Sequence, residues 1–167
     1  MITREQLAGF ARRLRVPIGT VERDYVQLAF LYGVFRQPHP PLVLKGGLQL
    51  RLAFGSPRYS LDIDFTATAS NIQPYLQTAL RFLHRLGIRA RLQLQQQIKH
   101  LVLYRLRYYG PLYRPHQPLS VGSLHIDIRI GEPLQLTPQW RGVSSPYPDI
   151  PPFTALVLQE QELVAEK

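Results

Sequence analysis

Cysteine is absent from the 167 residues. That excludes disulfides, thiolate metal sites and a cysteine nucleophile, and it fits a reducing compartment. Long apolar runs are missing too. None approaches the roughly 18–20 residues that a membrane-spanning helix needs, and the opening MITREQLAGF has no signal-peptide core. The expected location is cytoplasmic, with no membrane partner. Acids are scarce, eleven against twenty Lys and Arg. The net charge of +9 favours a polyanionic partner, nucleic acid first. Seventeen of the basic residues are arginine, which suits bidentate phosphate contacts, although a biased genome composition gives the same excess. The five histidines are scattered and include no His-x-x-x-His pair, which argues against zinc catalysis. No Ser-His-Asp arrangement is defensible from spacing alone.

What is present centres on LVLKGGLQLRLAFGSPRYSLDIDF, residues 42–65. A short apolar run leads into Gly46-Gly47, then an amphipathic helix over 48–54, a Gly-Ser-Pro break, and a strand over 61–65. On a strand, residues i and i+2 share a face. Leu61, Ile63 and Phe65 are therefore expected in a core, with Asp62 and Asp64 side by side on the other face. Two close carboxylates repel unless a cation lies between them. A hard divalent ion such as Mg²⁺ suits them, because it takes oxygen ligands and keeps positions open for phosphate. The plain alternative is a solvated strand face. The Gly-Gly turn favours the metal reading, since such a turn offers backbone N–H groups to phosphate. It is not a Walker loop, because the Gly-Lys-Ser/Thr ending is absent.

A second alternating run, SLHIDIRI at 123–130, sets Leu124, Ile126, Ile128 and Ile130 opposite His125, Asp127 and Arg129. If the two strands are sheet neighbours, Asp127 joins Asp62 and Asp64 in the ligand set of a two-metal phosphoryl or nucleotidyl transfer site. His125 is more readily a hydrogen-bonded neighbour than a catalytic group.

Lys45-Gly46-Gly47, Arg58 and Ser60-Leu61-Asp62-Ile63-Asp64-Phe65 resemble the first motif of the AbiEii/AbiGii toxins, of the polymerase-beta-like nucleotidyltransferase superfamily. His125-Ile126-Asp127-Ile128 resembles their second motif. EQELVAEK at 160–167 resembles a third, in which a helical Glu-Lys pair approaches the triphosphate. The resemblance implies a Mg²⁺-dependent toxin, with two ions, that moves a nucleoside monophosphate from an NTP to RNA. It further implies a tRNA 3′ end as acceptor and an antitoxin as partner. Asp62, Asp64 and Asp127 would be the catalytic metal ligands. Lys45, Gly46, Gly47, Arg58, Ser60 and Lys167 would bind the nucleotide. One departure stands out. Many family members place a hydroxyl residue at this turn, and here Leu48 follows Gly47.

Elsewhere the pattern predicts helices over 2–14, 21–35 (with Thr20 as N-cap) and 71–86. It predicts a hairpin of strands 88–96 and 100–109, irregular surface chain with room for one short strand over 131–152, and a strand turning into helix after 155. On the hairpin, Arg105, Arg107 and Tyr109 share a face. That pattern suits either single-stranded RNA or a merely solvated sheet. The expected fold is α/β, a small mixed sheet flanked by helices, with residues 1–36 a helical segment packed on a core of 37–167. The toxin family continues into further helices beyond residue 167. Two other readings stay open. One is a catalytically degenerate RNA- or partner-binding member. The other is a helix-turn-helix regulator using Arg12, Arg13, Arg15 and Arg23.

Overall fold

The computed structural model describes residues 1–165. Two helices come first, α1 (Arg4–Leu14) and α2 (Ile18–Phe35). Thr3 starts α1 with a full capping box: its hydroxyl accepts from Gln6 N–H, and the Gln6 side chain accepts from Thr3 N–H. α2 starts earlier than the Thr20 signal indicated. Pro17 occupies the N-cap, and Thr20 lies inside the first turn. Proline at this boundary contributes a preset φ, and in place of a side-chain cap its carbonyl accepts from Thr20 N–H at 2.9 Å and Val21 N–H at 3.2 Å.

The chain then alternates β1 (Leu42–Lys45), α3 (Gly46–Phe54), β2 (Ile63–Ala67) and α4 (Gln73–Arg85). It continues through β3 (Arg89–Ile98), β4 (Leu101–Tyr109), β5 (Gly122–Ile130), β6 (Gln139–Val143), β7 (Phe153–Val157) and α5 (Glu160–Ala165). All seven strands form one mixed sheet in the order β3-β4-β5-β2-β1-β7-β6. β2 is its central strand. It runs parallel to β5 and antiparallel to β1.

One face of the sheet carries Ile63, Phe65, Tyr104, Leu106, Tyr108, Ile126 and Ile128 into a single core with α2 and α4. The α2–α4 approach is close: a Cβ on Gly33 would lie 2.5 Å from Ala79 Cα. α2 is buried along most of its length, including Glu22, Asp24 and Gln27. That burial overturns the regulator reading, because α2 has no free face to lay in a DNA groove.

The buried acids of α2 find distant partners. Leu112 N–H donates to Glu22 Oε1 at 2.7 Å. The Arg51 guanidinium straddles Asp24, at 2.6 Å to Oδ1 and 3.1 Å to Oδ2, and the Tyr147 hydroxyl donates to Oδ2 at 2.7 Å. Tyr147 packs edge-on between Phe10 and Tyr25, with ring centroids 5.1 Å from each. The stretch 131–152 is therefore not simply surface chain. Its aromatic and apolar residues Tyr147 and Ile150 are core. Asp149 accepts from the Tyr25 hydroxyl at 2.6 Å. Among the described residues no helix is long and apolar enough to cross a membrane.

Candidate active site

Strand pairing builds the site. Lys45 on β1 is the direct neighbour of Asp64 on β2, and Asp64 is the direct neighbour of Asp127 on β5. Paired residues project to the same side of a sheet. The row Lys45–Asp64–Asp127 thus lies on the face opposite the core. Lys45, Gly46, Asp64, Leu101, Asp127 and Arg129 line a cleft of about 260 Å³.

Asp62 sits just before β2 rather than on it. The strand begins at Ile63, and Leu61 is 62% exposed instead of buried. The alternating pattern starts two residues too early, at Leu61, because residues 55–62 form a loop. The loop is held by Ser60 Oγ donating to Asp62 O at 3.0 Å and by the Gln27 amide donating to Ser60 O and Asp62 O, both at 3.4 Å. The Asp62 carboxylate points to His125 Nδ1, 3.4 Å away. His125 thus lies within ion-pairing distance of Asp62, at the edge of the acid cluster.

Gly46 and Gly47 belong to the first turn of α3 rather than to a turn before it. Gly46 has φ +71°, and a Cβ there would run into Asp64 Oδ2. Only glycine lets this helix start pack on that carboxylate. Ser60 Oγ lies over Gly47, 3.3 Å from where a Cβ would be. Arg58 is exposed on the same loop, outside the cleft. Lys167 lies outside the described residues. Of the third motif, Glu162 is turned to the backbone: its carboxylate accepts from Gln135 N–H at 2.6 Å and Leu136 N–H at 3.3 Å.

The electrostatics are those of a crowded anionic cluster. Burial, then Asp127 and Asp62, pushes the Asp64 carboxyl up to about 6, against the pull of Lys45 and Arg129. Asp127 is raised by burial and by Asp62, while His125 and Arg129 hold it down. Among the described residues, no three Asp, Glu or His side chains are placed to ligate one ion as they stand. The donors are nonetheless hard oxygens, and their mutual repulsion is what a divalent cation relieves. The cluster therefore fits Mg²⁺ by chemistry.

Two further residues belong here: strand alternation put Arg129 on the face of Asp127 without giving it a role, and it did not single out Glu132. Arg129 lines the cleft, and Glu132 ion-pairs with Lys45 at 3.3 Å and with Arg129 at 3.3 Å. Gly131, at φ +74°, turns the chain so that Glu132 comes back to Lys45. A Gly-Glu step directly after the Asp127 strand was the available signal.

The family described as "Nucleotidyl transferase AbiEii toxin, Type IV TA system" matches residues 29–167. No curated protein matches the sequence. Among solved structures, MenT4, a nucleotidyltransferase toxin from Mycobacterium tuberculosis, is similar with a TM-score of 0.65 and 20% identity. That similarity covers 99% of this chain and 57% of MenT4. JHP933 from Helicobacter pylori is similar with a TM-score of 0.64 and 16% identity, over 88% of this chain and 55% of that one. The chain thus spans little more than half the length of these structures, and at such identities the likeness is one of fold.

Proposed function

The chain belongs to the AbiEii nucleotidyl transferase toxin family, and from that premise we propose that it transfers a nucleoside monophosphate from an NTP to the 3′ end of an RNA. A tRNA is the acceptor proposed, and an antitoxin the partner. The observation that carries the reading is the register of Asp64 beside Asp127, with Lys45 next in the row. A purely structural sheet face gains nothing from two carboxylates set directly together, since like charges opposed across strands destabilise.

Asp62, Asp64 and Asp127 are the proposed Mg²⁺ ligands. Bound metal would supply charge neutralisation of the triphosphate and a more acidic acceptor hydroxyl. The chain's own groups do the rest. N–H groups at Gly46 and Gly47 face the phosphates from the start of α3. Lys45 and Arg129 place positive charge at the cleft, and Arg58 and Lys167 are proposed to add more. Ser60 holds the loop that closes over Gly47. The acceptor 3′ oxygen forms a bond to the α-phosphorus, the bond from that phosphorus to the bridging oxygen breaks, and pyrophosphate leaves. Asp127 takes the hydroxyl proton. Catalysis is then mostly positioning and electrostatics.

The test is incubation with each of four labelled NTPs, total RNA and Mg²⁺. Label should enter RNA from at least one NTP and be lost in Asp64→Asn and Asp127→Asn. If no NTP labels RNA and none binds in the presence of Mg²⁺, the enzyme reading is wrong.

A further inference from the structure

The face that carries Asp64 and Asp127 continues past β5. Across the β4–β5 pair, Asp127 neighbours Leu103, His125 neighbours Arg105, and Ser123 neighbours Arg107. Across β3–β4, Arg105 neighbours Gln93, Arg107 neighbours Arg91, and Tyr109 neighbours Arg89. All of these side chains project to the acid side of the sheet. The alternate residues of β4, Val102, Tyr104, Leu106 and Tyr108, are buried on the other side.

Arg89, Arg91, Arg105 and Arg107 are all exposed, and neither β3 nor β4 contains an acid. Arg91 and Arg107 stand directly opposite each other. Like charges in that position destabilise a sheet, and no carboxylate on either strand offsets them. At the far end the Arg89 guanidinium lies over the Tyr109 ring at 4.8 Å, and Tyr113 meets Tyr109 edge-on at 4.6 Å. From strand spacing and rise, Arg105 is about 8 Å and Arg107 about 14 Å from Asp127, Cα to Cα. Beyond Lys45 and Arg129 in the cleft, positive charge therefore resumes one strand away from the acids and leads off in one direction, towards an aromatic stack.

We propose that this β3–β4 face is the docking lane of the acceptor: a single-stranded RNA 3′ end, its terminal hydroxyl at Asp127 and its preceding phosphates over Arg105, Arg107 and Arg91. The direction rests on the nucleotidyl-transfer reading; the charge complementarity does not. Tyr109 supplies the surface on which an upstream base stacks, which a base already paired in a duplex cannot do. The acids repel phosphate and so hold the backbone on the arginines, leaving only the uncharged terminal hydroxyl to enter the cleft.

The experiment measures binding of a fluorescent single-stranded RNA oligonucleotide across a salt series, for the wild-type chain and for Arg91→Gln/Arg105→Gln/Arg107→Gln. NTP affinity and the KM for RNA are measured alongside. The slope of log affinity against log salt should flatten by about 0.7 per arginine removed, or about 2 in all. The KM for RNA should rise at least tenfold, with NTP affinity unchanged. Lysine at the three positions should restore most of the slope. An unchanged slope overturns the lane, as does equal competition by duplex RNA, or by polyglutamate, which would point to an acidic protein instead. A wild-type chain that binds RNA through these arginines yet transfers nothing supports the lane and removes the nucleotidyl-transfer reading. Transfer at the wild-type KM by the triple variant removes the lane and keeps that reading.

Discussion

Asp64 and Asp127 are direct neighbours across the parallel β2–β5 pair, and the charge of Asp127 helps to push the Asp64 carboxyl up to about 6, after burial itself. Neither side chain supports the core. Asp64→Asn and Asp127→Asn should therefore fold normally, with melting temperatures at or above wild type in chelator, because repulsion is relieved. Each should lose about two to three orders of magnitude in transfer rate, the usual cost of deleting one preorganised electrostatic group. The two should differ in kind. Asp64→Asn is expected to weaken Mg²⁺–NTP binding, and Asp127→Asn mainly to slow single-turnover transfer. Wild-type transfer by both variants would remove the site.

Gly46 and Gly47 look alike in sequence and differ in structure. Gly46→Ala meets both a left-handed φ, costing about 1–2 kcal/mol, and the Asp64 carboxylate in the space its Cβ needs. Gly47→Ala meets only Ser60 Oγ at 3.3 Å, which rotates away. Gly46→Ala should be destabilised and unable to bind NTP, while Gly47→Ala should keep its stability. Denaturation midpoints and NTP titrations would decide it. Equal stability of the two variants would count against the packing of α3 on Asp64.

The contrast between these faces and α2 marks how far local pattern reaches. Period-2 alternation fixes which residues share a face, and a one-residue slip would place Asp64 or Asp127 in the core. The acid face could be expected on that basis, whereas the adjacency of the two strands rested on the family resemblance. Alternation does not fix where pairing begins, so Leu61 was expected in the core and lies in the loop. The acids of α2 posed a harder problem. Their partners Leu112, Arg51 and Tyr147 come from other elements, and no local period reports them. Tyr147 sits in a proline-rich stretch that reads as surface chain, yet its hydroxyl reaches Asp24 and its ring fills the space beside Phe10.

Arg51 ties the last turn of α3 to α2 through Asp24, whose side chain is only 1% exposed. Arg51→Ala leaves that carboxylate buried beside Tyr147 alone and should cost about 3–5 kcal/mol, the range for breaking a buried pair. Asp24→Asn should cost less, since the Tyr147 hydroxyl still has an acceptor. Burial already raises Asp24 despite Arg51, and without the guanidinium it rises further. Arg51→Ala should thus regain stability relative to wild type as pH falls. NTP affinity should drop with it, because α3 carries Gly46 and Gly47. Chemical denaturation at several pH values tests this, and a pH-independent deficit would argue that packing, not the stranded charge, is what is lost.

Glu22 provides a pH test far from the cleft. Burial raises its carboxyl, against the Leu112 N–H bond and the charges of Arg23 and Arg4, which lower it. An acid whose folded pKa exceeds its unfolded value holds its proton more tightly when folded. Its favourable contribution is full below the unfolded value near 4.5 and is lost as pH rises through the folded one. Glu22→Gln keeps the side-chain oxygen that accepts from Leu112 and removes the charge. It should match wild type at the acidic end, gain over it as pH climbs through that window, and hold a constant advantage above it. Denaturation midpoints of the two proteins from pH 4 to 8 would show the divergence. Parallel curves would mean that Glu22 is not desolvated in solution, and that the 110–112 turn does not close over α2 as the Leu112 hydrogen bond requires.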